Sequence, residues 1–145
     1  MSEKIQRVSG GVILFAIITA IFHFLFFVAE SILWLEPYIY QNFLSAPGSS
    51  RGIALVEQAA LMEIVFFNQG FYNLFLALGL VAGIIFVKKA RIEQGITLIC
   101  YSCLFAFGAG VVLALSAGAF LGAAVQAIPP MIALIFLYVG GTSKS

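Results

Sequence analysis

Residues 94–139 read QGITLICYSCLFAFGAGVVLALSAGAFLGAAVQAIPPMIALIFLYV, and these 46 residues contain no charged side chain. A helix that crosses a membrane needs about 20 predominantly apolar residues. The stretch is too long for one such helix and suits two. Small residues between positions 116 and 122 supply turn chemistry. We therefore predict membrane-spanning helices over 94–117 and 120–139, joined by a tight turn.

Two earlier apolar stretches predict two further spans, over 10–35 and 59–87. The first follows Lys4 and Arg7, as the apolar core of a secretory signal peptide would. Its 26 residues exceed the length of such a core, and no small-residue cleavage site follows it. We expect it to be retained as a span. The second stretch stops at Lys88.

The composition agrees with a membrane location, since 63% of the 145 residues are hydrophobic, 9% are charged and the mean hydropathy is +1.13. Soluble domains are about half apolar and about a quarter charged. The excess of apolar side chains must therefore face lipid. The length suits one domain, so we predict an all-α polytopic membrane protein, a four-transmembrane-helix bundle over residues 1–145. A net charge of +1 provides no field for binding nucleic acid.

The distribution of lysine and arginine predicts the orientation of the bundle. Six of the seven basic residues fall on one side of the membrane when the amino terminus is placed inside, and only Arg51 falls on the other. Cytoplasmic segments are enriched in basic residues. We therefore expect both termini in the cytoplasm. The six basic residues on that side are Lys4, Arg7, Lys88, Lys89, Arg91 and Lys144.

The outer loop, residues 36–58, contains aromatic residues that suit a short segment lying at the membrane surface. Tyr38, Tyr40 and Phe43 would lie there beside Trp34, in the aromatic belt. The sequence PGSS at 47–50 then breaks the segment. Two interpretations stay open, a plain connector and a lid over a site.

The first helix carries two polar residues, His23 and Glu30, within its apolar run. At 100° per residue the seven-residue spacing places them within about 20° of each other around the helix. Along the axis they are about 10 Å apart, so they cannot touch directly. A ligand, a water molecule or a group from another helix would have to lie between them. Polar groups at membrane depth are costly and mark candidate functional sites.

The second helix carries four polar residues in the run NQGFYN, residues 68–73. Asn68 and Tyr72 form one i, i+4 pair, and Gln69 and Asn73 form another. Between them, Gly70 would allow a ligand or another backbone to approach closely.

On the last helix Gln126 precedes Pro129 and Pro130, which remove backbone donors and predict a kink. With the orientation above, the polar residues of three helices fall at about the same depth, in the outer half of the membrane. This convergence favours a functional site, and a hydrogen-bond network that only holds the helices together is the alternative. The candidate site residues are His23, Glu30, Trp34, Asn68, Gln69, Tyr72, Asn73 and Gln126.

Each candidate has a proposed role. Glu30 would be the charged or proton-exchanging group, with His23 as its proton partner through water. The amides of the second and fourth helices would orient a ligand, and Trp34 and Tyr72 would form aromatic walls. Glu57 and Glu63, at the start of the second helix, are expected to be solvated and structural.

Residues 68–80, NQGFYNLFLALGL, resemble the signature of the domain-of-unknown-function 1304 family of bacterial membrane proteins. The matching positions outside this run are His23, Glu30, Trp34, Gln126 and Pro129. The family usually has an acidic residue immediately before the histidine, where this chain has Phe22. The resemblance implies a four-helix protein of the bacterial cytoplasmic (inner) membrane, and it brings no established activity.

Three classes of function stay open. The first, which we expect, is the binding or transport of a small or lipid-like molecule. The second is a membrane-embedded acid–base enzyme of the isomerase kind, acting on a lipid-soluble substrate. The third is a structural or partner-binding bundle.

Beyond the lipid bilayer and such a ligand, the sequence indicates few partners. We expect no cofactor and no metal, because Cys100 and Cys103 form a C-x-x-C without a second ligand pair. Gly79 and Gly83 have the spacing of a contact face between membrane helices, which leaves a homo-oligomer open.

Overall fold

The computed structural model describes residues 8–49 and 52–142, and within these ranges it contains helices and no strand. Four of the helices are long and apolar enough to cross a membrane, so the prediction of an all-α protein with four candidate spans is confirmed. The basic residues Lys4, Arg7, Arg51 and Lys144 lie outside the described ranges. The helices are α1 (Gly10–Phe27), α2 (Pro37–Leu44), α3 (Leu55–Lys88), α4 (Ile92–Ala117) and α5 (Phe120–Thr142).

The first span is not one regular helix. It was expected to run over 10–35, but the α-helix ends at Phe27 and continues as a π-helical turn, Val28–Ile32. The Leu33 N–H donates to the Val28 carbonyl at 2.9 Å, the wide i→i+5 bond of a π-helix. Beyond this turn the chain leaves the helical path, since Leu33 has φ −109° and ψ 12°.

The second span begins earlier than the sequence indicated, at Leu55 instead of residue 59. With 34 residues, α3 is about 51 Å long, whereas the hydrocarbon core of a bilayer is about 30 Å thick. The helix is therefore longer than the hydrocarbon core is thick, and the outer loop packs against its amino-terminal part.

The outer loop is folded against the end of the bundle. Within it α2 starts at Pro37, a residue suited to the first helical position. Tyr40 and Leu44 of α2 are buried together with Trp34 and Ala59. The loop also reaches the far side of the bundle, where the Gly48 N–H donates to the Ala117 carbonyl at 2.9 Å.

Two tight turns join the remaining spans. At the end of α4, Gly118 adopts a left-handed conformation with φ 65°, and its N–H donates to the Ala114 carbonyl at 3.2 Å. Glycine reaches this conformation without strain. Between α3 and α4, the Arg91 guanidinium lies 4.9 Å from the centre of the Phe86 ring, an arrangement that is favourable for a cation and an aromatic face.

The four long helices form a ring, because α1 and α4 each pack against both α3 and α5. Gly79 and Gly83 face α4 within the same chain, and a Cβ at Gly83 would lie 3.0 Å from the Gly95 carbonyl oxygen. The small-residue face thus serves the packing of α3 on α4. The main buried apolar cluster comprises Val12, Ala16, Ala20, Ala77, Leu80, Ile84, Ile99, Cys103 and Ala133.

Candidate functional site

Glu30 lies in the π-helical turn and is 6% exposed. The Asn73 Nδ2 atom donates a hydrogen bond to its Oε2 atom at 2.7 Å, which joins the π-helical turn to the middle of α3. Among the described residues, Glu30 makes no ion pair, and its other carboxyl oxygen, Oε1, has no hydrogen-bond partner. Burying a carboxyl group with a single amide donor in an apolar bundle costs free energy. Groups buried in this way are usually functional.

The π-helical turn is held against α3 by the neighbouring serine. The Ser31 hydroxyl donates to the Phe67 carbonyl at 2.7 Å. A Cβ at Gly70 would lie only 3.0 Å from the Ser31 backbone nitrogen. The close approach that Gly70 was predicted to allow is therefore made by another segment of the backbone. This contact, together with the wide turn, fixes the direction of the Glu30 side chain.

Trp34 closes the same region at the end that α2 covers. It is 3% exposed, and its indole N–H donates to the Ala59 carbonyl at 2.8 Å. Its ring is stacked on Phe66 with centroids 3.6 Å apart, and Phe43 of α2 contacts it edge-on at 5.8 Å. The tryptophan therefore connects α2, α3 and the segment that follows α1.

An open cleft of about 420 Å³ lies between the end of the first span and the beginning of α3. It is at the end of the bundle opposite the α3–α4 turn that carries Lys88, Lys89 and Arg91. Its apolar residues other than Trp34 are exposed on the bundle surface, among them Ile32 and Ile64. The residues that line the cleft are Glu30, Ser31, Ile32, Trp34, Leu35, Glu63, Ile64 and Phe67.

The lining of the cleft offers hydrogen-bond acceptors and no unused side-chain donor. The two donors in the lining are already engaged, since Ser31 donates to Phe67 and Trp34 donates to Ala59. The remaining polar groups are the carboxyls of Glu30 and Glu63. Ionised carboxyls only accept hydrogen bonds. The cleft therefore has the chemistry to receive a donor.

Sequence reasoning missed Ser31, Glu63 and Phe67 as lining residues. Glu63 was considered a solvated structural residue, and it is exposed, but it also lines the cleft. The helical repeat offered a signal, because Glu63 and Phe67 are separated by one turn of α3. The sequence does not show which side of α3 the first span packs against.

His23 is 1% exposed and lies apart from the cleft lining. Its Nδ1 atom is 2.8 Å from the Thr19 carbonyl oxygen and donates to it, which assigns the ring proton to Nδ1. The Nε2 atom is buried and has no hydrogen-bond partner among the described residues. The predicted link between His23 and Glu30 through water stays a prediction.

The other candidate residues are divided between the bundle interior and its surface. Asn73 and Gln126 are buried. Asn68, Gln69 and Tyr72 are exposed on α3, Tyr72 to 60%, and none of the three lines the cleft. Of the eight predicted site residues, the structure brings together Glu30, Trp34 and Asn73.

No group of three or more metal-ligating side chains exists among the described residues. Cys100 is partly buried and Cys103 is buried, and both carry free thiols.

The fold and its apolar exterior define a helical membrane protein with four candidate spans. The chain belongs to the family described as protein of unknown function DUF1304, whose model matches residues 17–138. This range includes the first-span residues from the middle of α1 onward and nearly all of α5. Comparison with curated proteins and with solved structures found no match.

Proposed function

We propose that the protein binds a small amphiphilic molecule with a hydrogen-bond-donating head group, an amine being the best fit, in the cleft beside Glu30. The observation that carries this proposal is the buried Glu30 carboxyl, which opens on a cleft whose own side-chain donors are already engaged. A donor from the ligand would supply the partner that Oε1 lacks. Hydrogen bonds to charged groups contribute about 1.5–3 kcal/mol.

The apolar part of the lining indicates the rest of the ligand. Ile32 is 62% exposed and Ile64 is 76% exposed, so the cleft continues into the lipid-facing surface. Phe67, which is 49% exposed, adds an aromatic face, and such faces attract an ammonium group. A molecule with a cationic head and a short alkyl tail would therefore match both parts of the cleft and could enter from the membrane.

The charge distribution suggests which side of the membrane the cleft faces. Lys88, Lys89 and Arg91 cluster at the opposite end of the bundle. By the positive-inside rule this end is cytoplasmic, and the cleft faces the outer leaflet of a bacterial inner membrane. Both termini would then be cytoplasmic.

Binding is favoured over the other classes of function. The acid–base enzyme considered above would use His23 as the proton partner of Glu30, and His23 does not line the cleft. The second carboxyl of the lining, Glu63, is exposed on α3 and lacks the burial that Glu30 has. Transport would need a route past the apolar cluster that fills the inner half of the ring, which includes Leu80, Ile84 and Ile99. We therefore propose binding and leave transport as a property to be tested on the same protein.

The single tryptophan makes the proposal testable by fluorescence, because Trp34 lines the cleft. The protein in phosphatidylcholine nanodiscs is titrated with octylamine, octan-1-ol and octanoate, which share one tail length. We expect a saturable change in Trp34 emission with octylamine, at a concentration at least about tenfold lower than with octan-1-ol. Octanoate should give no saturable change.

Two glutamine variants provide the matched comparison. Glu30→Gln should weaken octylamine binding by about tenfold or more, because the amide cannot form a charge-assisted bond. Glu57→Gln removes an equal charge at an exposed position outside the lining and should bind as the wild type does. Equal responses to octylamine and octan-1-ol, or unchanged binding in Glu30→Gln, would overturn the proposal.

A further inference from the structure

The Nε2 atom of His23 is a hydrogen-bond acceptor in the bundle interior without a partner among the described residues. Because Nδ1 donates to the Thr19 carbonyl, the neutral ring presents a lone pair at Nε2. The ring is 1% exposed, so bulk water does not reach this atom at the protein surface. A buried acceptor left in this state costs free energy. A donor next to this atom would remove that cost.

The packing of α1 on α5 identifies the residues at the level of His23. The ring of Phe136 lies beside two positions of α1, with its centroid 6.1 Å from that of Phe15 and its atoms 2.8 Å from a Cβ placed on Gly11. The midpoint of this contact is residue 13. Counting ten residues further along each of the two antiparallel helices, at the same rise per residue, places His23 at about the level of Gln126.

Both residues lie on faces directed into the bundle. On α1 the buried positions around His23 include Ala16 and Thr19. On α5, Gln126 is 8% exposed, and Pro130 is fully buried one turn away. The layer between the helices therefore contains two buried polar side chains, whereas the main core cluster is apolar.

The two prolines of α5 remove two helical hydrogen-bond donors from this layer. The helix runs through Pro129 and Pro130. Proline has no N–H, so the carbonyls of Val125 and Gln126 lose their i+4 donors. The freed carbonyl of Gln126 lies on the face between Gln126 and Pro130, and both of these residues are buried.

We propose that a water molecule is bound in this layer, between His23 of α1 and the proline-interrupted turn of α5. One water O–H would donate to His23 Nε2, and the other would donate to the freed Gln126 carbonyl. The Gln126 side-chain amide would donate to the water oxygen. This gives three hydrogen bonds, the number typical of buried water in proteins. The site is separate from the cleft at Glu30 and does not depend on the proposed ligand.

Selective labelling can test this, because His23 is the only histidine of the chain. Protein containing ¹⁵N-histidine gives a single pair of ring nitrogen signals. We expect a protonated Nδ1, and an unprotonated Nε2 whose signal is displaced by an accepted hydrogen bond. Magnetisation transfer from water should reach the two ring carbon-bound protons next to Nε2.

Three variants separate the bound water from its alternatives. Gln126→Leu removes the amide donor and should abolish the water transfer, whereas the exposed control Gln69→Leu should keep it. Pro130→Ala restores an N–H for the Gln126 carbonyl and should weaken the transfer, even if Gln126→Leu fails to fold.

Results on the wild type alone can overturn the proposal. A free Nε2 signal without water transfer would mean a dry site. A hydrogen-bonded Nε2 without water transfer would mean that the Gln126 amide donates to it directly. A proton on Nε2 would contradict the assigned tautomer.

Discussion

Ser31 occupies the space that a side chain at residue 70 would need. The π-helical turn presses the Ser31 backbone and hydroxyl onto α3 at Gly70, and the hydroxyl bonds to the Phe67 carbonyl. One residue earlier in the same turn is Glu30, so the contact between Ser31 and Gly70 sets the position of the carboxyl in the cleft.

Gly70→Ala is expected to destabilise the protein by about 1–3 kcal/mol, because the new methyl group must displace Ser31. Thermal melting in mild detergent, followed by circular dichroism, measures this. Gly108→Ala is the matched control, since a Cβ there has no neighbour within 4 Å, and it should be neutral or slightly stabilising. Equal melting temperatures for the two variants would contradict the close contact.

Glu30 and Asn73 are expected to be energetically coupled through their 2.7 Å hydrogen bond. A double-mutant cycle with Glu30→Ala and Asn73→Ala should give a coupling energy of about 0.6 kcal/mol, and no more than about 1.7 kcal/mol. The free energy of unfolding in detergent is measured for the wild type, the two single variants and the double variant. Glu30→Gln keeps an acceptor oxygen for Asn73 and should remain near the stability of the wild type. Additive effects of the two alanine changes would mean that the bond contributes nothing.

Trp34→Phe is expected to loosen the outer loop. The change removes the hydrogen bond to the Ala59 carbonyl and part of the stacking on Phe66, at a cost of about 1–3 kcal/mol. Limited proteolysis should then cut the 45–54 segment faster than in the wild type. Phe105→Leu, at a 53% exposed position of α4, is the control and should leave the loop as resistant as before. Unchanged cleavage in Trp34→Phe would show that α2 is held by other contacts.

The predicted topology can be tested with single cysteines in a background of Cys100→Ala and Cys103→Ala. Ser49→Cys in the outer loop should react with a membrane-impermeant thiol reagent on intact spheroplasts. Ser143→Cys, which lies outside the described residues, should react only after the membrane is broken. Labelling of Ser143→Cys in intact spheroplasts would reverse the orientation that follows from the basic residues.

The four candidate spans could be predicted because each apolar stretch is long and is bounded by charged or turn-forming residues. The break near Gly118 could also be predicted, because glycine commonly terminates helices. The π-helical turn at Val28–Ile32 was not predictable. Its sequence, VAESI, contains no glycine or proline, and the turn depends on how Ser31 meets Gly70 of a distant helix.

The motif NQGFYN, residues 68–73, shows why the candidate site could be predicted only in part. Its six residues are consecutive, so their side chains point in all directions around the helix axis. One face of α3 therefore cannot carry all of them. Gly70 and Asn73 face the first span, whereas Asn68 and Tyr72 point away from the bundle. Gln69 is only about 40° from the direction of Asn73 and is nevertheless exposed. Its exposure depends on how the helices cross, which a single sequence does not reveal.

The bond between Gly48 and Ala117 has a consequence for the order in which the protein is made. Gly48 precedes α3, but its acceptor is the last residue of α4. During synthesis the loop emerges before that acceptor exists, so this bond can form only after the third span has been inserted. Until then the loop lacks one of the contacts that hold it against the bundle. Resistance of the loop to cleavage in a nascent chain would therefore mark the moment at which the carboxyl-terminal hairpin joins the bundle.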